Sequence, residues 1–252
     1  MKAILGPSVR NHAGGPPYFK IVHKNFPISL AAHTFMTEIA KLIEHTLLRP
    51  DTTLADVRRL CEEAVQHQFG GVCIPPFFVR DARRLLGDMS RIRVGTVVGF
   101  PMGYTGIAAK SEEIKRAIDD GADDIDAVIN IAALKSDNWN HVNHDIDSVA
   151  RATHLRGKTL KLILECALLT ESEISKVCEL ARSVNVTWLQ TGTDMHGHPA
   201  TPDMLRQLRT LADTSIKLKA SGGIRTATEA KALIAAGAER LGTSTAIQLL
   251  GY

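Results

Sequence analysis

From residue 43 to the C-terminus, short apolar runs alternate with amphipathic helical patterns without a break. The runs fall at 43–48, 71–75, 92–100, 125–131, 160–168, 186–191, 214–220 and 240–245. Helical periodicity fills the gaps at 52–68, 77–88, 106–120, 139–154, 171–184, 201–212 and 226–236. Near-continuous apolar strands between helices specify a parallel sheet covered on its outer face. Eight such units close into a barrel, so the expected fold class is α/β, a single (β/α)8 TIM barrel. The competing open, doubly wound sheet usually carries G-x-G-x-x-G after its first strand, and this chain has none there. Thr226 with Glu229 predicts a capping box at one helix start, and Gly121 and Gly237 predict two helix ends.

Residues 1–35 do not share this pattern. They carry Gly6-Pro7, Gly14-Gly15-Pro16-Pro17 and Pro27, with no lasting periodicity. No continuous apolar stretch of signal-peptide length is present in them. The expected division is an irregular N-terminal extension, 1–35, and a barrel domain, 36–252, opening on the helix that starts at Met36.

Composition narrows the function classes. Thirty Lys and Arg against 27 Asp and Glu leave a net charge of +3, spread along the chain. With 5% aromatic residues there is neither a basic footprint nor a stacking platform for nucleic acid. No apolar run approaches the roughly 18 residues of a membrane span. Cys61, Cys73, Cys166 and Cys178 form no C-x-x-C pair and read as reduced, buried thiols of a cytoplasmic protein.

Charges inside apolar strands are the candidate chemistry, because TIM-barrel sites sit where strands end. Glu44, Asp126, Lys161, Glu165, Lys217 and Lys219 are such charges. Alternation of side chains puts Lys217 and Lys219 on one face, and Lys161 and Glu165 on one face. An unpaired buried charge costs several kcal/mol, so these groups are expected to pair with one another. They form either a structural ion network or a reactive cluster with shifted pKa values. Ser221-Gly222-Gly223-Ile224-Arg225 and Gly242-Thr243-Ser244-Thr245 stand between the last two strands and the helices after them. Glycine turns there let backbone N–H groups approach an anion, which makes Gly222, Gly223, Ile224, Arg225, Gly242, Ser244 and Thr245 candidates for phosphate. His196 and His198 read as a solvent loop, Trp139 and Trp188 as packing residues, and Asp145 and Asp147 as a solvated helix face.

Several of these stretches resemble one family. Glu44-His45-Thr46-Leu47-Leu48-Arg49-Pro50 is similar to the D-H-T-L-L-K-P opening of the deoxyribose-phosphate aldolases. So are Val97–Gly103, Ile125–Ile131 and Lys219–Thr226, in order, from about Met36 to the C-terminus. The resemblance implies a TIM barrel and a class I aldolase that cleaves 2-deoxyribose 5-phosphate to glyceraldehyde 3-phosphate and acetaldehyde. It implies no metal or other cofactor, a small sugar phosphate or aldehyde as ligand, and, by analogy, a homodimer. Asp126 and Lys219 match the family's proton-relay aspartate and second lysine, and Glu44 stands in for an aspartate. Glu165, Thr193 and Cys73 are the substrate-contact candidates.

The family's Schiff-base lysine lies in F-V-K-T-S-T-G. Here the matching stretch is Trp188-Leu189-Gln190-Thr191-Gly192-Thr193-Asp194, so Gln190 holds the lysine position and Asp194 a phosphate-side glycine. An amide nitrogen is not an amine nucleophile. Three readings stay open: an aldolase using Lys219, Lys217 or Lys161; a binding protein without turnover; or a lyase or isomerase with a changed substrate.

Overall fold

The computed structural model describes residues 30–87 and 90–251. Eight parallel strands close in sequence order: β1 (Ile43–Thr46), β2 (Gly71–Ile74), β3 (Arg93–Val98), β4 (Asp124–Val128), β5 (Thr159–Ile163), β6 (Trp188–Gln190), β7 (Lys217–Ser221) and β8 (Arg240–Thr243). Closure is made where β1 pairs with β8, Glu44 standing opposite Gly242. The expected TIM barrel is therefore the fold. Helix α1 (Leu30–Leu42) precedes the first strand. Outside the barrel lie α2 (Leu54–Gln66), α3 (Val79–Leu86), α4 (Ile107–Asp119), α5 (Ile131–Lys135), α6 (Trp139–His154), α7 (Glu171–Ser183), α8 (Pro202–Leu211), α9 (Ala227–Ala235) and α10 (Ala246–Leu249). No helix among the described residues is long and apolar enough to cross a membrane.

Local chemistry accounts for these boundaries. Thr53, Thr170 and Thr226 each cap a helix, with Asp56, Glu173 and Glu229 completing the box three residues on. Such a cap contributes about 1 kcal/mol. Gly121 and Gly237 follow α4 and α9 at φ +108 and +109, as helix-ending glycines do. The main core lies between barrel and helices, where Val57, Leu60, Ile114, Ile146, Val177 and Leu205 are buried against the strands' outer faces.

Three expectations change. Helix α1 begins at Leu30, not Met36, since no Gly or Pro interrupts 28–49 and Leu30-Ala31-Ala32 favour a helix. Residues 30–35 are thus helical rather than irregular; the rest of the expected extension, 1–29, lies outside the described residues. The apolar run 125–131 is not one strand: β4 ends at Val128, and Asn130 caps the short α5 by accepting from the N–H of Ala133 at 3.0 Å. Asp145 is not solvated. It is buried on α6, where the Lys110 ammonium of α4 donates to it at 2.7 Å and the Asn130 N–H at 3.1 Å. A helix face that meets a buried lysine on its neighbour must supply the countercharge.

Candidate active site

Inside the barrel, five charges from four strands form one ionic centre. Lys161 on β5 lies 3.1 Å from Glu44 of β1, 2.9 Å from Asp124 and 3.1 Å from Asp126 of β4. Lys219 on β7 donates to Glu44, and to Asp126 at 2.5 Å. All five are buried. Arg93 on β3 reaches the centre from the rim, its Nε donating to Asp124 at 2.9 Å.

Each protonation state follows from this packing. Burial alone would raise the Glu44 carboxyl, but the Lys161 and Lys219 ammonium groups hold it down at about 2. Burial is likewise outweighed at Asp124, where Lys161 and Arg93 hold the carboxyl well below its usual range. Burial works against the charged forms of Lys161 and Lys219, yet the carboxylates around them push both ammonium groups above the ordinary lysine range. The resting centre is two ammonium ions among carboxylates.

Above it opens a cavity of about 590 Å³ at the C-terminal mouth of the barrel. Asp126 and Lys219 reach it from below, and Cys73, Gln190 and Thr193 line its wall. Cys73 donates weakly to Asp126 at 3.9 Å, and burial pushes its thiol far above the usual thiol range, so it is a neutral wall residue. The other side carries Gly222, Gly223, Ile224, Arg225, Gly242, Ser244 and Thr245, together with Asp194. Asp194 sits at φ +67, its carboxylate beside Gly222: a Cβ built there would lie 3.4 Å from Asp194 Oδ1. Gln190 directly neighbours Lys219 in the sheet register. Its side-chain N–H donates to the Gly192 carbonyl at 2.9 Å.

A family model described as DeoC/LacD family aldolase matches residues 38–246, the whole barrel with its ionic centre and cavity. The chain belongs to this family. Among curated relatives, deoxyribose-phosphate aldolase of Thermococcus gammatolerans is 40% identical over 84% of this chain and 95% of its own length. Deoxyribose-phosphate aldolase of Desulfitobacterium hafniense is 42% identical over 84% of this chain and 97% of its own. Of solved structures, the aldolase QR15 superposes with a TM-score of 0.79 at 30% identity, covering 84% of this chain and 94% of that one. The tetrameric deoxyribose phosphate aldolase of Aeropyrum pernix gives 0.78 at 27% identity, over 85% and 90%.

Within this DeoC/LacD-family barrel the geometry sorts the sequence candidates. Lys217 does not face the cavity. It opens β7 at the opposite end of the barrel, exposed, with its ammonium 5.5 Å from the Trp188 ring. Alternation assigns Lys217 and Lys219 to one face but gives no depth, and two residues along a strand are about 6.6 Å apart. Lys161 is in the centre yet below the cavity floor, among three carboxylates. Among the described residues, Lys219 is the one lysine lining the cavity.

Glu165 is displaced from the expected site as well. It lies beyond the end of β5 at φ +57, and this left-handed turn breaks the strand alternation that paired it with Lys161. Its carboxylate accepts from the Thr193 N–H at 3.0 Å and hydroxyl at 2.5 Å, bracing the loop after β6 from behind. His196 Nε2 lies 3.9 Å from the same carboxylate, so it belongs to this brace rather than to open solvent. Glu165 Oε1 sits 2.6 Å from where a Cβ on Gly192 would be. Gly192→Ala therefore forces the brace apart. We expect a loss of about 2 kcal/mol and a melting temperature lower by about 5 °C in calorimetry.

The sequence reading missed Asp124. It stands two residues before Asp126, on the same strand face, and that i, i+2 acidic pair was the available signal. It missed Arg49 and Arg59 too, which line the cavity from the segment after β1 and from α2. No strand pattern marks these, because they enter from a loop and a helix.

Proposed function

We propose that this chain catalyses reversible cleavage of 2-deoxy-D-ribose 5-phosphate to D-glyceraldehyde 3-phosphate and acetaldehyde, with Lys219 as the reacting amine. The observation that carries this reading is the position of Lys219, the only lysine on the cavity wall among the described residues, one strand away from Gln190 in the same register. One ammonium proton of Lys219 passes to Asp126, whose oxygen lies 2.5 Å away. The freed amine adds to the C1 carbonyl of the open-chain sugar, and loss of water gives the imine. Asp126 gives its proton to the departing water, which leaves a protonated imine, and then takes the C3 hydroxyl proton as the C2–C3 bond breaks; that bond's electron pair forms the C1–C2 double bond and the C–N π pair moves to nitrogen. Glyceraldehyde 3-phosphate leaves. Asp126 returns that proton to C2 of the enamine, and water then releases acetaldehyde and restores the amine.

The sugar's phosphate is placed against the turns at 222–225 and 242–245, with Arg225 and the backbone N–H groups as donors. Asp194 beside Gly222 weakens this end by repulsion. The family resemblance further supports a cytoplasmic role in deoxyribonucleotide catabolism, with the chain acting as a homodimer.

One observation favours a second reading, binding without turnover: the carboxylates hold Lys219 protonated. Incubation with acetaldehyde and borohydride, followed by intact mass and peptide mapping, separates the two. The aldolase reading expects one adduct per chain on Lys219, absent in Lys219→Met. Stabilisation by the sugar phosphate without adduct or turnover selects the binding reading.

A further inference from the structure

Gln190 is 4% exposed, lines the cavity and has a buried side-chain carbonyl with no hydrogen-bond partner. Its orientation is fixed by the Gly192 carbonyl, which can accept from the amide N–H but would repel the amide oxygen. Rotating the amide to satisfy Oε1 is therefore unfavourable, and the buried acceptor is left with its desolvation uncompensated. Lys219, the register neighbour, has the complementary surplus. An ammonium carries three N–H donors, and the carboxylates of Glu44 and Asp126 take two. The wall thus offers an acceptor and a donor side by side, at the position where the family resemblance puts a nucleophilic lysine.

A free aldehyde oxygen accepts hydrogen bonds and donates none, so it satisfies Lys219 and leaves Gln190 unpaired. A hydroxyl both donates and accepts. We propose that Gln190 reads a C1 hydroxyl, and that this pocket prefers sugar phosphates whose C1 is at the alcohol or hemiacetal level over those presenting a bare carbonyl or a methyl group. The proposal rests on the sugar-phosphate reading above and names the ligand class of that site. It also gives Gln190 a role as a specificity-determining residue that contacts ligand without bonding to it covalently.

The test is titration calorimetry with two non-reactive esters, 2-deoxy-D-ribitol 5-phosphate and its counterpart lacking the C1 hydroxyl. The wild-type chain should bind the first about tenfold more tightly. Gln190→Met, which removes the acceptor at similar volume, should lose most of that preference, keeping only what the Lys219 donor supplies. Equal affinity of the wild type for both esters overturns the role of Gln190 and leaves the sugar-phosphate reading standing. Binding of neither ester overturns both. Gln190→Leu serves where Gln190→Met does not fold, and an unchanged preference of about tenfold in the folded variant assigns the hydroxyl to Lys219 and overturns the proposal.

Discussion

Gln190→Lys should raise turnover of 2-deoxyribose 5-phosphate by at least about a hundredfold, and borohydride trapping should move from Lys219 to the new side chain. The register places residue 190 directly beside Lys219 at the cavity wall. In the resting centre Lys219 is a cation held by Glu44 and Asp126. A second amine beside it is pushed down in pKa by like charge, so a larger fraction is neutral and nucleophilic near pH 7. Glu44 and Asp126 stay in place to move protons. A gain of two powers of ten in rate corresponds to about 2.7 kcal/mol of barrier, well within what an activated amine supplies. Adding Asp194→Gly should then lower KM about tenfold, because the carboxylate beside Gly222 is removed and φ +67 suits glycine. No adduct at residue 190 in a folded variant would mean that this wall has lost the shape that admits the aldehyde.

Asp126→Asn should lower stability by about 3 kcal/mol, seen as a melting temperature about 6–12 °C lower at pH 7. Asp126 accepts from both Lys161 and Lys219, and its loss leaves the two ammonium groups and Arg93 facing only Glu44 and Asp124. Removing one member of a buried ionic set leaves an uncompensated charge, and that is the expensive half of the interaction. The penalty should shrink between pH 7 and pH 10, since a lysine short of a carboxylate sheds its proton more easily. A shift under about 2 °C would mean that the centre does not hold its charges as described.

The wild-type centre has its own acid limit. Glu44 is depressed from its ordinary value to about 2 in the folded state. Its contribution, about 3 kcal/mol, is complete above about pH 4.5 and is lost as pH falls through 2. The raised lysines act in the opposite direction: their contribution is complete below about pH 10 and fades as pH rises through their folded values.

The architecture was legible because strand and helix periods alternate over almost the whole chain, and sidedness alone dictates a closed parallel sheet. Depth was not legible. Alternation gives the face of Lys217 but not its place at the far end of β7, where it is exposed. A single left-handed residue was enough to send Glu165 behind the wall instead of into it. Asp145 read as a surface residue because its partner, Lys110, lies on another helix 35 positions away. The family resemblance alone singled out Gln190 and Asp194 in the sequence. The free carbonyl of Gln190 was not, since it depends on which amide atom the Gly192 carbonyl takes.

The partnership of Glu44 with Lys219 spans 175 positions. The strand carrying Glu44 leaves the ribosome first among the eight; its countercharges arrive on the fifth, with Lys161, and on the seventh, with Lys219. Until then no barrel exists to shield the carboxylate, and it remains in water at no penalty. Pairings so distant in sequence form late, because chain entropy must be overcome before they repay it. Assembly of the reactive centre and final closure of the ring are consequently one event. A product lacking the last two strands has Glu44 without Lys219 and cannot complete the ionic centre.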